Sequence, residues 1–171
     1  MKTKTKDRIF FIVQALLKYS SLPFMQRVRI ILYRIFFDYL GTGIVIKDGV
    51  TFKFPSEIKI MDGVKIAEHC YLVGLGGLEI GKNTLIGAGT KIATTTHNFA
   101  DIDTDITYQG ISYKSIRIGA NVWIGFNVVI LSGSEVDRGS IIGANAVVTG
   151  NKIDDNSIML GVPAKLKRKR N

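Results

Sequence analysis

The stretch Ile118–Val148, IGANVWIGFNVVILSGSEVDRGSIIGANAVV, decides the fold. An aliphatic residue returns at every sixth position without a slip: Ile118, Ile124, Ile130, Val136, Ile142 and Val148. The next residue is small at Gly119, Gly125 and Gly143, and three positions after the mark stand Asn121, Asn127, Gly133, Gly139 and Asn145. Two positions before it the side chain is small or β-branched, as in Val122, Val128, Ser134, Ser140 and Ala146. A period of six fits neither an amphipathic helix nor an alternating strand. It marks a solenoid, and hexapeptide repeats denote a parallel β-helix. Each hexad supplies a short strand and a corner, and about three hexads close a coil. The aliphatic mark points inward and stacks on its equivalent in the next coil. Asn and Gly fall where the chain bends, because both tolerate positive φ. One coil cannot bury its own apolar face, so several must stack.

Toward the N-terminus the same marks continue as Ile46, Phe52 and Ile58, then Ile60, Ile66 and Leu72, then Ile80, Ile86 and Ile92. The spacing predicts an all-β solenoid domain over 41–171. Residues 1–40 read differently. Ile9–Val13 and Ala15–Leu17 form an apolar run, Ser20-Ser21-Leu22-Pro23 breaks it, and Ile30, Ile31, Ile35 and Phe37 resume at helical spacing. Two short helices are expected there. The run is too short for a membrane span, and with Gln14 and Lys18 inside it and no small-residue cleavage site it does not read as a secretory signal. Two roles stay open for the pair. One is a cap over the end of the solenoid, preferred because repeat folds need caps. The other is peripheral contact with the inner face of a membrane through Lys2, Lys4, Lys6, Arg8, Arg27, Arg29 and Arg34.

The net charge of +9 sits at the ends of the chain. Residues 1–40 carry +6, the tail 165–171 carries +5, and the middle carries −2. No basic face with interleaved aromatic residues offers itself to nucleic acid. Cys70 is the lone cysteine, which permits no internal disulfide and suits a cytoplasmic location.

The span 44–168 resembles the hexapeptide-repeat acyltransferases, in particular the maltose, galactoside and polysaccharide O-acetyltransferase group. Three segments carry the likeness in order: Thr95-Thr96-His97-Asn98, Ile118-Gly119-Ala120-Asn121-Val122-Trp123-Ile124-Gly125, and Gly161-Val162-Pro163-Ala164-Lys165. The resemblance implies a left-handed coil, a homotrimer with active sites between subunits, acetyl-CoA as co-substrate, and a sugar or surface-polysaccharide hydroxyl as acceptor. It does not separate O-acetylation from N-acetylation of an amino sugar.

The interruption between Ile92 and Ile118 predicts a protruding loop at about 97–115. His97 in it is the expected catalytic base, since a hydroxyl nucleophile needs a proton acceptor that titrates near neutral pH. Asn98 and Asp103 of the loop and His69 of the coil are candidate acceptor contacts. By resemblance, Trp123, Gly125, Gly143, Ala144, Thr149 and Lys165 line the acetyl-CoA path, and amides near Gly125, Ser132 or Gly133 are candidates for an oxyanion hole. Small residues on that path suit close approach of a pantetheine arm to the backbone. Lys169 and Arg170 read as an ordinary solvated terminus. A covalent intermediate on Cys70 and a three-histidine zinc site both read as poor fits, the latter because the chain has only His69 and His97. No metal is expected. A non-enzymatic coil is the remaining alternative, and an ice-binding face would need threonines repeated down one side, whereas Thr94-Thr95-Thr96 is one local cluster.

Overall fold

In the computed structural model, which describes residues 2–171 except the side chains of 2–4 and 23, the hexads stack into a three-sided parallel β-solenoid. Its first face stacks Tyr39–Leu40, Ile58–Ile60, Leu78–Ile80, Ile116–Ile118, Glu135–Val136 and Lys152–Ile153. The second stacks Val45–Ile46, Lys65–Ile66, Leu85–Ile86, Trp123–Ile124, Ile141–Ile142 and Ser157–Leu160. The third stacks Thr51–Lys53, Tyr71–Val73, Lys91–Ala93, Val129–Leu131 and Val147–Val148. Each neighbouring pair of these strands within a face is parallel, so six rungs rise along the first two faces.

Every aliphatic mark is buried, and so are the small residues two positions earlier. Those that carry hydroxyls spend them on backbone carbonyls: Thr84 donates to Gly119 O at 2.9 Å and Thr90 to Gly125 O at 3.0 Å. The core therefore carries no orphaned hydroxyls at these positions. Corner residues adopt positive φ as expected, at Asn83, Asn121, Asn127, Asn145 and Asn156. An Asn in one coil covers a Gly in the coil before it. A Cβ on Gly63 would fall on the Asn83 side chain, and one on Gly89 on that of Asn127.

The register offsets in the sequence all map to one edge, where the third face turns into the first. Eight positions separate Phe52 from Ile60 and Leu72 from Ile80, and six separate Ile130 from Val136. The extra residues bulge outward at that corner, and the long interruption is the same bulge enlarged.

Two helices, α1 (Lys2–Leu17) and α2 (Pro23–Tyr33), close the first coil. Phe10, Tyr33, Phe36 and Phe37 pack with Phe52 as an aromatic cluster continuous with the coil core. Polar side chains complete the open strand edges. Gln14 donates to Phe52 O at 3.1 Å and accepts from Phe52 N at 2.6 Å, standing in for the next strand. Arg29 donates to Ile46 O, Leu17 O and Ser20 O, and Arg34 to Leu40 O and Gly41 O. Both arginines are spent on the coil edge, which corrects their assignment to lipid headgroups. Tyr39–Leu40, inside the span read as extension, already forms the first rung.

The far end is closed by the tail. Lys165–Lys169 turns back and pairs antiparallel with Ser157–Leu160. Lys169 Nζ donates to Asp155 O at 2.7 Å, and Arg170 donates to Gly139 O at 2.6 Å. Lys169 and Arg170 are thus edge-closing residues rather than a solvated terminus, because a coil end exposes carbonyls that a cation can satisfy.

Candidate functional site

The loop leaves the coil at Thr94, whose buried hydroxyl donates to Val73 O at 3.1 Å. It returns at Lys114, whose amide donates to Thr94 O and to Ser132 Oγ. Between these points Thr95–His97 pairs antiparallel with Ile111–Tyr113, so His97 stands opposite Ile111. Tyr113 lies over Gly76, whose φ is 87° and where a Cβ would fall on the ring, so glycine is required beneath the hairpin.

The tip is fixed by its own polar groups. Asp101 accepts from Asp103 N at 3.0 Å and from Thr104 Oγ1 at 2.7 Å. The Thr104 hydroxyl, followed by the Asp103 amide, holds the Asp101 carboxyl below its usual range. Gln109 bridges the loop by donating to Asp101 O and Thr104 O, both at 2.7 Å. Asn98 donates to Gln109 O at 2.9 Å and accepts from Ser112 Oγ at 2.5 Å.

These residues enclose a recess of about 570 Å³ whose wall includes His97, Asn98, Phe99, Tyr108, Gln109 and Ser112. The His97 side chain is exposed on it. Asp103 is not part of that wall; it serves the turn through its amide. Gln109 and Ser112 carry no signal in the sequence, since nothing distinguishes them from solvated loop residues until the hairpin folds.

The other expected site residues lie elsewhere on the prism. Trp123 points outward from the second face, between Leu85 and Ile141 in register, and is exposed. Gly125, Gly143 and exposed Ala144 follow at the corner between the second and third faces. Lys165 pairs with Leu160 at the top of the second face, and Leu160 covers Gly143. Thr149 alone shares the corner of the His97 loop, two coils further along. One chain therefore does not bring His97 to Trp123.

Gly125 is required by the coil itself, whether or not a cofactor passes it. A Cβ there would stand 2.6 Å from Ala144 N, so neighbouring coils already exclude a side chain. Its amide donates to Ile142 O at 2.8 Å, which removes it as an oxyanion donor. Among the described residues neither Ser132 N–H nor Gly133 N–H donates to a protein acceptor, and both adjoin the loop base.

His69 sits at the corner between the second and third faces with φ 57°, its ring over Gly49. That is the place Asn127 takes over Gly89, so within one chain His69 does a corner's work, away from His97. Cys70 is buried, and burial pushes its thiol up to about 11, so it stays protonated at neutral pH.

Residues 115–150 match the bacterial transferase hexapeptide (six repeats) family. The coil is a hexapeptide-repeat solenoid. The solenoid and its helices together are similar to a galactoside acetyltransferase solved in complex with coenzyme A, at TM-score 0.89 and 27% identity over 99% of this chain and 82% of that one. They are similar also to the hexapeptide-repeat acetyltransferase VCA0836 of Vibrio cholerae complexed with acetyl coenzyme A, at TM-score 0.87 and 25% identity over 97% and 87% of the two chains. In sequence, the chain is 31% identical over 121 residues to WbbJ of Escherichia coli, whose name assigns it to lipopolysaccharide biosynthesis O-acetyl transfer. That match covers 64% of this chain and 59% of WbbJ. The chain spans between 31% and 59% of the length of four such curated relatives.

Proposed function

We propose that this chain is an acetyl-CoA-dependent O-acetyltransferase acting on a sugar or surface-polysaccharide hydroxyl, with His97 as general base. The observation that carries the reading is the exposed His97 on a preformed recess, in the one long interruption of a rigid coil whose relatives are solved with coenzyme A. Functional residues concentrate on loops held by rigid scaffolds.

The step needs little from the chain. An imidazole nitrogen of His97 takes the proton of the acceptor hydroxyl as its oxygen attacks the thioester carbonyl. The tetrahedral oxyanion accepts from backbone amides, for which Ser132 and Gly133 are the candidates. Collapse breaks the C–S bond, and the departing thiolate receives the proton from His97. No acyl-enzyme is required, and the protonated, buried Cys70 is a poor nucleophile for one.

Trp123, Ala144, Thr149 and Lys165 are the proposed contacts of the co-substrate, Lys165 with its phosphates. Since Trp123 and His97 lie on different sides of one prism, the reading requires the second face of a neighbouring copy beside the loop. A homotrimer meets that requirement. Its faces are suited to it: above Tyr39 the first face presents alternating Lys59, Glu79, Arg117, Glu135 and Lys152 to solvent, whereas the second presents one charge, Lys65, followed by Leu85, Trp123 and Ile141.

The test is release of coenzyme A thiol with a panel of sugars, amino sugars and polysaccharide precursors. His97→Ala is expected to slow transfer by ~10²–10⁴-fold while the acetyl-CoA-induced rise in Tm persists. An unchanged rate in the variant removes His97 as the base, and a parent protein indifferent to acetyl-CoA removes the whole reading. Preference for an amino sugar would keep the base and make the product an amide.

A further inference from the structure

The helix pair has a second apolar side that the cap does not use. On α1, Phe10 and Gln14 face the coil and are buried. Ile9, Ile12, Leu16 and Tyr19, spaced three, four and three apart, fall on the opposite side of the helix and its end, exposed by 50%, 61%, 78% and 67%. On α2 and its continuation, Arg29 and Tyr33 face inward, while Phe24, Ile31 and Ile35 are exposed by 60%, 63% and 63%. Leu22 in the connection is exposed as well. A helix apolar on both sides expects a partner on each, and apolar surface gathered this way marks an interaction site.

The charges beside this surface have one sign. Of the two acids in the segment, Asp7 accepts from Ser56 Oγ and Asp38 pairs with Lys59. Arg29 and Arg34 are spent on coil carbonyls. Exposed Arg8 and Arg27 and half-exposed Lys6 remain among the described side chains. No described helix is long and apolar enough to cross a membrane.

We propose that the outward face of the α1–α2 pair docks in the plane of an anionic lipid surface. Apolar side chains flanked by cations are what such an interface selects: the first enter the acyl boundary and the second meet headgroup phosphates. A second copy of the chain is a poorer occupant. Face-to-face pairing would bring like-charged Arg8 and Arg27 of two molecules together, whereas side-by-side packing of prisms leaves their ends open. The inward side closes the solenoid and the outward side binds the bilayer. The inference does not depend on acetyl transfer.

The experiment is vesicle flotation of the full chain, with phosphatidylcholine alone and with phosphatidylcholine mixed with phosphatidylglycerol. Binding is expected to the mixed vesicles and to weaken with salt. Ile12→Glu, Leu16→Glu and Ile31→Glu are each expected to lower vesicle affinity by ~10-fold or more. Arg27→Glu is expected to lower it selectively on anionic vesicles. Because these side chains are mostly exposed, Tm is expected to stay within a few degrees of the parent. Failure to float with either vesicle overturns the proposal, as does binding that all four substitutions leave intact. Sedimentation in the absence of lipid provides a further check. A parent that associates through this face, and becomes smaller in Leu16→Glu, would show a protein partner in place of the bilayer.

Discussion

Gln14 illustrates how a single residue can close a repeat fold. Its side-chain amide supplies one acceptor and one donor at the spacing of a strand, and both meet Phe52. Gln14→Leu leaves a buried N–H and a buried C=O without partners. The expected cost is about 2–3 kcal/mol, read by denaturant unfolding. Gln14→Glu should cost at least as much, because a carboxylate cannot donate to Phe52 O and carries a charge into a buried site. A variant series in which glutamate is harmless would mean that the amide does not act as a surrogate strand. Arg29 is the analogous residue on the second face, with three carbonyls around a buried guanidinium.

At the scale of elements, the loop between Thr94 and Lys114 is held by internal polar bonds more than by burial, since most of its side chains are exposed. Asp101 is the centre of that network. Its folded pKa is depressed, so the stabilisation it gives is present above the ordinary carboxylate range. It is lost as pH falls through the lowered folded value. The loop should therefore stay closed at neutral and mildly acidic pH. Asp101→Asn weakens both accepted bonds at every pH, and limited proteolysis at pH 7 is expected to nick 98–110 faster than in the parent, with coil Tm little changed. Equal nicking rates would show that the loop is held by something other than this carboxylate.

At the scale of the whole molecule, the prism separates what the proposed reaction must join. His97 rises from the corner between the third and first faces, and Trp123 projects from the second. Two inactive variants, His97→Ala and Trp123→Ala, are therefore expected to regain part of the parental rate when co-expressed, because mixed oligomers contain sites with both residues intact. The measurement is specific activity of the co-purified mixture against each variant alone. Absence of recovery in a mixture shown to contain both chains would overturn a site shared between His97 of one protomer and Trp123 of its neighbour. The loop leaves the third coil, two rungs of about 4.8 Å from the coil that the helices cap.

The sequence by itself determined the coil, because a period of six is a local property. Each inward Ile or Val and each corner Asn or Gly is legible where it stands, and so is the interruption that contains His97. What touches what across coils was not legible. Gln14 reaching Phe52, the tail closing the last rung, and His69 seated over Gly49 join residues whose pairing depends on how many coils intervene. Glycine was ambiguous for the same reason. Gly125 looks alike whether a ligand or the next coil demands its smallness, and only the distance to Ala144 N shows that the coil does. The two sides of the helix pair were likewise merged in the sequence. Apolar and basic residues alternate along it, and only packing against the coil shows which of them are spent and which remain to meet something else.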